Sequence, residues 1–203
     1  MIAIVDYGVG NLFSLRSSFA AVGAEAEVVE DPAALARAER LVLPGVGAFG
    51  DAAEKLRRTG MDRAVLDAVS AGKPLLGICL GMQLLLEESL EYGRHAGLGL
   101  IPGTVRPIAE VIPADYKIPH IGWNALDFGG TADPLFKYIR EGDYVYFVHS
   151  YYAAAAPEYV IARAEYGAPL TAAVRRGRVW GCQFHPEKSG AVGLNILRAF
   201  CEV

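Results

Sequence analysis

Leu76-Gly77-Ile78-Cys79-Leu80-Gly81-Met82-Gln83 joins an apolar run to a helix-forming run through a single cysteine. Pro74 to Ile78 reads as a buried strand, and a helix is predicted from about Leu80 to Glu91. Gly77 and Gly81 sit two residues before and two after Cys79. A strand that reverses directly into a helix holds its apex residue in a strained backbone, and neighbours without side chains make room for it. This is a nucleophile elbow carrying a thiol. A thiol at a helix N-terminus meets the positive end of the helix dipole, which favours the thiolate. The free N–H of Leu80 can donate to an oxyanion formed beside the sulfur. The competing reading is a structural cysteine buried between strand and helix.

Outward from this junction, strand and helix alternate. Met1 to Val5, Ala26 to Val29 and Leu41 to Leu43 read as strands. A helix is expected from an Asn11 cap through Val22, and another from about Asp51 to Ala71. Short joins between alternating elements predict an α/β fold on a mostly parallel sheet flanked by helices. After Gly93 the pattern changes. Residues 97 to 128 are rich in Gly, Pro and β-branched types and read as strands and loops. Asp133 to Tyr138 is expected as a short helix. Tyr144 to Val148, Val160 to Ala164, Leu170 to Val174 and Val179 to Gln183 read as additional strands, several of them antiparallel, before a closing helix from Ala191 to Cys201.

The chain has 203 residues, 53% hydrophobic and 21% charged, which excludes intrinsic disorder and fits a single domain over residues 1–203. A net charge of −4 disfavours nucleic acid as the main partner. Pro74 to Leu86, broken by Gln83, is too short to cross a membrane. Met1 to Asp6 has no basic lead, so no secretory leader is expected, and three cysteines without paired spacing point to a reducing compartment, the cytoplasm.

A cysteine nucleophile needs a base. Of His95, His120, His149 and His185, the last stands in Gly181-Cys182-Gln183-Phe184-His185-Pro186-Glu187, just past a predicted strand. Pro186 removes a backbone donor and ends the strand, and Glu187 is placed to hold the second ring nitrogen. His120 and His149 are candidates for a supporting shell, and His95 reads as a loop residue. Cys182 and Cys201 read as small buried residues. No CxxC, HxxxH or HxxE spacing is present, so no metal or cofactor is expected. Gly45-Val46-Gly47 lacks the Lys-Ser/Thr of a phosphate loop and reads better as a second source of oxyanion donors.

With these residues in place, the sequence resembles the class I (triad) glutamine amidotransferases. The marks are Gly77 to Gln83, His185-Pro186-Glu187 and Pro44-Gly45-Val46-Gly47. More narrowly, it is similar to the glutaminase subunits of imidazole glycerol phosphate synthase. That narrower likeness rests on Asp6-Tyr7-Gly8-Val9-Gly10-Asn11, Pro119-His120-Ile121-Gly122-Trp123-Asn124 and Phe147-Val148-His149-Ser150-Tyr151. The resemblance implies a flavodoxin-like fold and a Cys79–His185–Glu187 triad that hydrolyses glutamine through a γ-glutamyl thioester. It implies an oxyanion hole from Leu80 and the Gly45, Val46, Gly47 loop. Gln83, Glu91 and the His149, Ser150, Tyr151 backbone would hold the substrate. It further implies a (β/α)8-barrel cyclase subunit as partner in a heterodimer, docked on a surface that includes Asn11, Trp123, Tyr146 and Lys188. For Tyr146 and Trp123 core packing is the alternative.

Overall fold

The computed structural model describes residues 1–130 and 132–203. Five strands form the parallel heart of a seven-stranded sheet: β1 (Ile2–Val5), β2 (Ala26–Val29), β3 (Arg40–Leu43), β4 (Leu75–Ile78) and, at the far end of the chain, Val179–Cys182. Between β4 and that last strand run β5 (Leu86–Ser89), β6 (His95–Ala96), β7 (Ile101–Pro107), β8 (His120–Ala125), β9 (Tyr144–His149), β10 (Tyr151–Ala155), β11 (Val160–Glu165) and β12 (Pro169–Arg176), so Val179–Cys182 is β13. The sheet order is β11-β12-β13-β4-β3-β1-β2. Pairing is parallel from β2 to β13, and β12 and β11 continue antiparallel. The mostly parallel α/β sheet with added antiparallel strands is as expected.

Alternation along the strands builds two cores. Ala3, Val5, Leu41, Leu43 and Leu75 face one side of the sheet, where Ala52, Ala53 and Leu56 of α2 (Phe49–Arg58) and Val65 of α3 (Met61–Ser70) cover them. Ile2, Ile4, Val42, Leu76 and Ile78 face the other side, covered by Leu15 and Phe19 of α1 (Leu12–Ala21) and by Ile196 and Leu197 of the closing helix. With α4 (Leu80–Leu84) after β4, that closing helix is α5 (Gly190–Phe200). β1, β4 and β13 are buried along their whole length, which is why they read as unbroken apolar runs, while the edge strand β2 exposes Glu27 and Val28.

Three local expectations change. The helix expected over Asp51 to Ala71 is two helices, because Gly60 adopts φ 75° and breaks it. The helix expected from Leu80 to Glu91 stops at Leu84, and Leu86–Ser89 pairs as β5 with β7. Leu84, Leu85 and Leu86 are all buried, so this apolar run carries no amphipathic stripe to mark where the helix ends. Glu91 thus lies beyond a strand, not near a helix end. Asn11 precedes α1 but accepts no capping hydrogen bond, and Asp133 to Tyr138 holds only a 3-10 turn at Pro134–Phe136. A second sheet, β10-β7-β5-β6, and the ribbon β8-β9 account for the irregular middle of the chain.

Candidate active site

Every catalytic candidate follows the carboxyl end of a parallel strand. Tyr7 follows β1, the Gly45-Val46-Gly47 loop follows β3, Cys79 follows β4 and His185 follows β13. That edge is where open α/β sheets collect ligands.

The elbow is strained as the sequence required. Cys79 has φ 55° and ψ −112°, outside ordinary territory for a residue with a side chain. The flanking glycines serve packing, not backbone freedom. A Cβ on Gly81 would lie 1.8 Å from the Leu43 carbonyl oxygen, and one on Gly77 would lie 2.7 Å from the Gly81 carbonyl oxygen. The elbow is thus clamped between β3 and the first turn of its own helix. That helix is only five residues long, so its dipole is a weak source of thiolate stabilisation.

His185 hydrogen-bonds the Cys79 sulfur. Its burial opposes a positive charge, but hydrogen bonding to Cys79 and to Glu187 outweighs this and raises the imidazole to about 9. His185 Nδ1 lies 2.8 Å from Glu187 Oε1, with both side chains buried. The second Glu187 oxygen has no protein partner among the described residues. The sulfur and the carboxylate together thus favour the imidazolium form of the ring. α5 fixes the His-Pro-Glu turn from behind: a Cβ on Gly193 would lie 1.9 Å from the Pro186 carbonyl oxygen. The His185 backbone N–H also donates to Tyr146 O of β9 (2.9 Å).

These groups open onto a cavity of about 390 Å³ lined by Cys79, Leu80, Val46, Gly47, Gln83, Glu91, Ser150 and His185, among others. Gln83, Glu91, His149, Ser150 and Tyr151 all line it. Gln83 spends both amide hydrogens on protein, donating to Tyr151 O (3.1 Å) and Gln183 Oε1 (2.9 Å). Glu91 Oε2 accepts from Phe49 N–H at 2.7 Å, the first residue of α2. One oxygen of this carboxylate is thus anchored on a helix N-terminus. Val46 and Gly47 line the cavity, whereas Gly45 packs against the elbow, its absent Cβ lying 2.9 Å from Gly81 N and from Tyr7 Oη.

Sequence reasoning missed two first-rank residues. Gln183 is fully buried and donates to Cys79 Sγ at 3.7 Å while accepting from Gln83. The chain has only two glutamines, one in each catalytic segment, and that was the available signal. Tyr7 donates to Pro44 O at 2.8 Å, just before the Gly45-Val46-Gly47 loop. Burial, and then the charge of Cys79, pushes its hydroxyl well above the usual range.

Cys182 is fully buried, and burial drives its thiol well up, which keeps it protonated and inert. Burial also raises Cys201, which donates to Leu197 O. His95 packs against Gly50. On the outer face, Trp123 is exposed and meets Tyr146 edge-on at 6.2 Å, with Lys188 Nζ 5.9 Å from the Tyr146 ring. Core packing does not explain Trp123; Tyr146 is half-buried. α1, whose first turn follows Asn11, packs against the Pro186–Lys188 turn beside this cluster.

The model of the class-I glutamine amidotransferases matches residues 3–202. The chain belongs to the class-I glutamine amidotransferase family. Within it the chain also belongs with the HisH proteins. It is 49% identical to imidazole glycerol phosphate synthase subunit HisH of Wolinella succinogenes, over all of both chains. It is equally identical to that of Streptococcus sanguinis, over all of this chain and 96% of the other, and 47% identical to that of Rhodopirellula baltica over 98% and 96%. Among solved structures, a glutamine amidotransferase aligns with TM-score 0.76 at 23% identity over 100% and 98% of the two chains. PurLQS from Thermotoga maritima aligns with TM-score 0.76 at 20% identity over 99% and 97%. At these identities the likeness is one of fold.

The histidines give this HisH-family chain a stability optimum. Burial lowers His149 to about 4, against a weaker upward pull from the Tyr151 carbonyl, and lowers His120 to about 4. From pH 6.5 down to about 4 the unfolded chain binds protons these sites refuse. Stability falls across that window, on the order of 3 kcal/mol for His149 alone. His185, raised to about 9, has the opposite sign: its contribution is complete below 6.5 and is lost as pH rises to about 9. Urea unfolding should give a midpoint that peaks near pH 6.5 and falls on both sides. His149→Asn should flatten the acid side.

Proposed function

We propose that this chain hydrolyses glutamine to glutamate and ammonia and passes the ammonia to a cyclase subunit. In histidine biosynthesis that partner, a (β/α)8 barrel, makes imidazole glycerol phosphate and aminoimidazole carboxamide ribotide. The observation that carries the reading is the strained Cys79 elbow facing a His185 held protonated by Cys79 and Glu187. The HisH names of full-length relatives at 47–49% identity support the pathway and the partner.

In this reading the Cys79 thiolate attacks the side-chain amide carbon. The Leu80 N–H, which as first residue of α4 has no helical acceptor, and a backbone N–H of the Val46–Gly47 segment receive the oxyanion. His185 gives its proton to the leaving nitrogen, ammonia departs and a γ-glutamyl thioester remains. Water deprotonated by His185 then releases glutamate. Glu91 meets the α-ammonium, and the Ser150–Tyr151 backbone meets the α-carboxylate. Ammonia freed into water becomes mostly ammonium, which is no nucleophile, so delivery within a heterodimer is favoured. Trp123, Tyr146, Lys188 and Asn11 form the docking face, where aromatic anchors are frequent. Nothing in this scheme calls for a metal or cofactor. Among the described residues no group of three or more His, Cys, Asp or Glu is placed to hold a metal, and no helix is long and apolar enough to cross a membrane. Work in the cytoplasm, where thiols stay reduced, fits the three unpaired cysteines.

Glu187 assists without touching the substrate. Glu187→Gln should lower kcat by about 10- to 100-fold, far less than loss of Cys79, and should move the alkaline limb of activity to lower pH as His185 loses its carboxylate. Steady-state assays across pH check both points. A loss as deep as that of Cys79→Ala would contradict the assisting role.

A further inference from the structure

A second set of buried polar residues lies behind the substrate pocket, outside the triad. His120 on β8 and His149 on β9 face each other across the ribbon, Nδ1 of His120 lying 3.1 Å from Nε2 of His149. His149 Nδ1 lies 2.8 Å from Tyr151 O, and Asn124 Nδ2 lies 3.4 Å from His120 Nε2. The direction of every proton follows from the two ends. A carbonyl only accepts, so His149 Nδ1 carries the hydrogen and a neutral His149 accepts at Nε2. His120 must then donate from Nδ1 and accept at Nε2, which requires the Asn124 amide to donate. Asn124 is locked in that sense, because its second amide hydrogen meets Glu165 O (2.8 Å) and its Oδ1 accepts from Ala125 N–H (2.8 Å).

The His120 ring has no freedom to leave. It stacks on Tyr166 at 4.0 Å and on Phe147 at 4.9 Å between ring centroids. Tyr166 in turn donates to Lys117 O (2.8 Å), two residues before Pro119, which lines the pocket. The relay ends on the Tyr151 carbonyl, the same atom that receives Gln83 Nε2. From there Gln83 and Gln183 continue the hydrogen bonds to Cys79 Sγ. The buried pair thus has one orientation of its hydrogens, set at Asn124 and delivered to the peptide that borders the substrate pocket.

We propose that Asn124 and His120, acting through His149, are positioning residues that fix the Ser150–Tyr151 backbone for the substrate carboxylate. They set glutamine affinity, not the rate of the chemical step. This rests on the glutaminase reading above. The residues touch neither the sulfur nor the His185–Glu187 pair, so their loss loosens the binding wall and leaves the nucleophile armed.

The test uses the complex with its cyclase subunit. Asn124→Ala removes the donor at the surface end. His120→Phe keeps a ring between Tyr166 and Phe147 but removes both nitrogens. Each should raise KM for glutamine about 5- to 10-fold, an effect of the size of a typical hydrogen bond, with kcat within about twofold. Alkylation of Cys79 by iodoacetamide without glutamine should be unchanged. His120→Gln, which offers both a donor and an acceptor, should recover part of the affinity. An unchanged KM in Asn124→Ala, or a fall in kcat at constant KM, overturns the proposal, and Asn124→Ala carries the test alone if His120→Phe does not fold. If the wild-type complex releases no glutamate, it is the glutaminase reading that fails, and this proposal with it.

Discussion

Replacing Cys79 with alanine should abolish glutamine hydrolysis, a loss of about 10⁴-fold or more, while binding of the cyclase subunit is kept. No other group can substitute. Cys182 is sealed in the core and protonated, and Cys201 donates to its own helix. Residues of a triad act as a unit, so losing the nucleophile forfeits nearly all that the unit contributes. Alanine is also smaller than the thiol and relieves nothing that the fold depends on, since Leu43, Gly77 and Gly81 hold the elbow by backbone contacts. Glutamate release measured with a coupled assay, alongside gel filtration with the partner, separates catalysis from assembly. Glutamate release persisting at more than a thousandth of the wild-type rate would place the chemistry elsewhere.

The second large effect is structural. Gly81→Ala should destabilise the chain by about 3 kcal/mol or more, because the new Cβ would stand 1.8 Å from the Leu43 carbonyl oxygen and neither backbone can yield. Gly50→Ala is the control. There the nearest atoms to the new Cβ are those of the His95 ring, 2.7 Å away at Cε1, and that side chain can swing aside. Its cost should stay below about 1 kcal/mol. Thermal unfolding of the two variants checks the contrast. Equal losses at both sites would mean that the β3–elbow contact does not clamp the site.

Those contacts also explain what could be read from the residues alone. The alternation of strands and helices and the Cys79 elbow were legible because each is a local pattern. Cys79, His185 and Glu187 stand in short segments whose spacing carries their chemistry. The reason for Gly77 and Gly81 was only half legible: the pattern shows that side chains are excluded, and only the sheet order shows that β3 excludes one of them. The run Leu84-Leu85-Leu86 hid a helix end because burial on all sides erases periodicity. Gln183 and the His120–His149 pair were not legible as partners, since Gln183 meets Cys79 across 104 residues of chain and His120 meets His149 across 29. A lone buried histidine carries no mark of what it faces.

Tyr146 joins the outer face to the site. It carries the Trp123 and Lys188 contacts, while its carbonyl accepts from His185 N–H and its own N–H donates to Ser189 Oγ (3.0 Å). In the proposed reading, a partner seated there would press on the strand that holds His185, and a peptide flip at glycine in the Gly45-Val46-Gly47 loop would re-aim its donors. The central claim is therefore a glutaminase that works for a partner. The most direct measurement is glutamate release by this chain alone, with the cyclase subunit, and with the cyclase subunit plus its nucleotide ligand. Release that is slight alone and rises strongly only when partner and ligand are both present is the predicted result. Full activity in the isolated chain, or none in the ligand-bound complex, would contradict it.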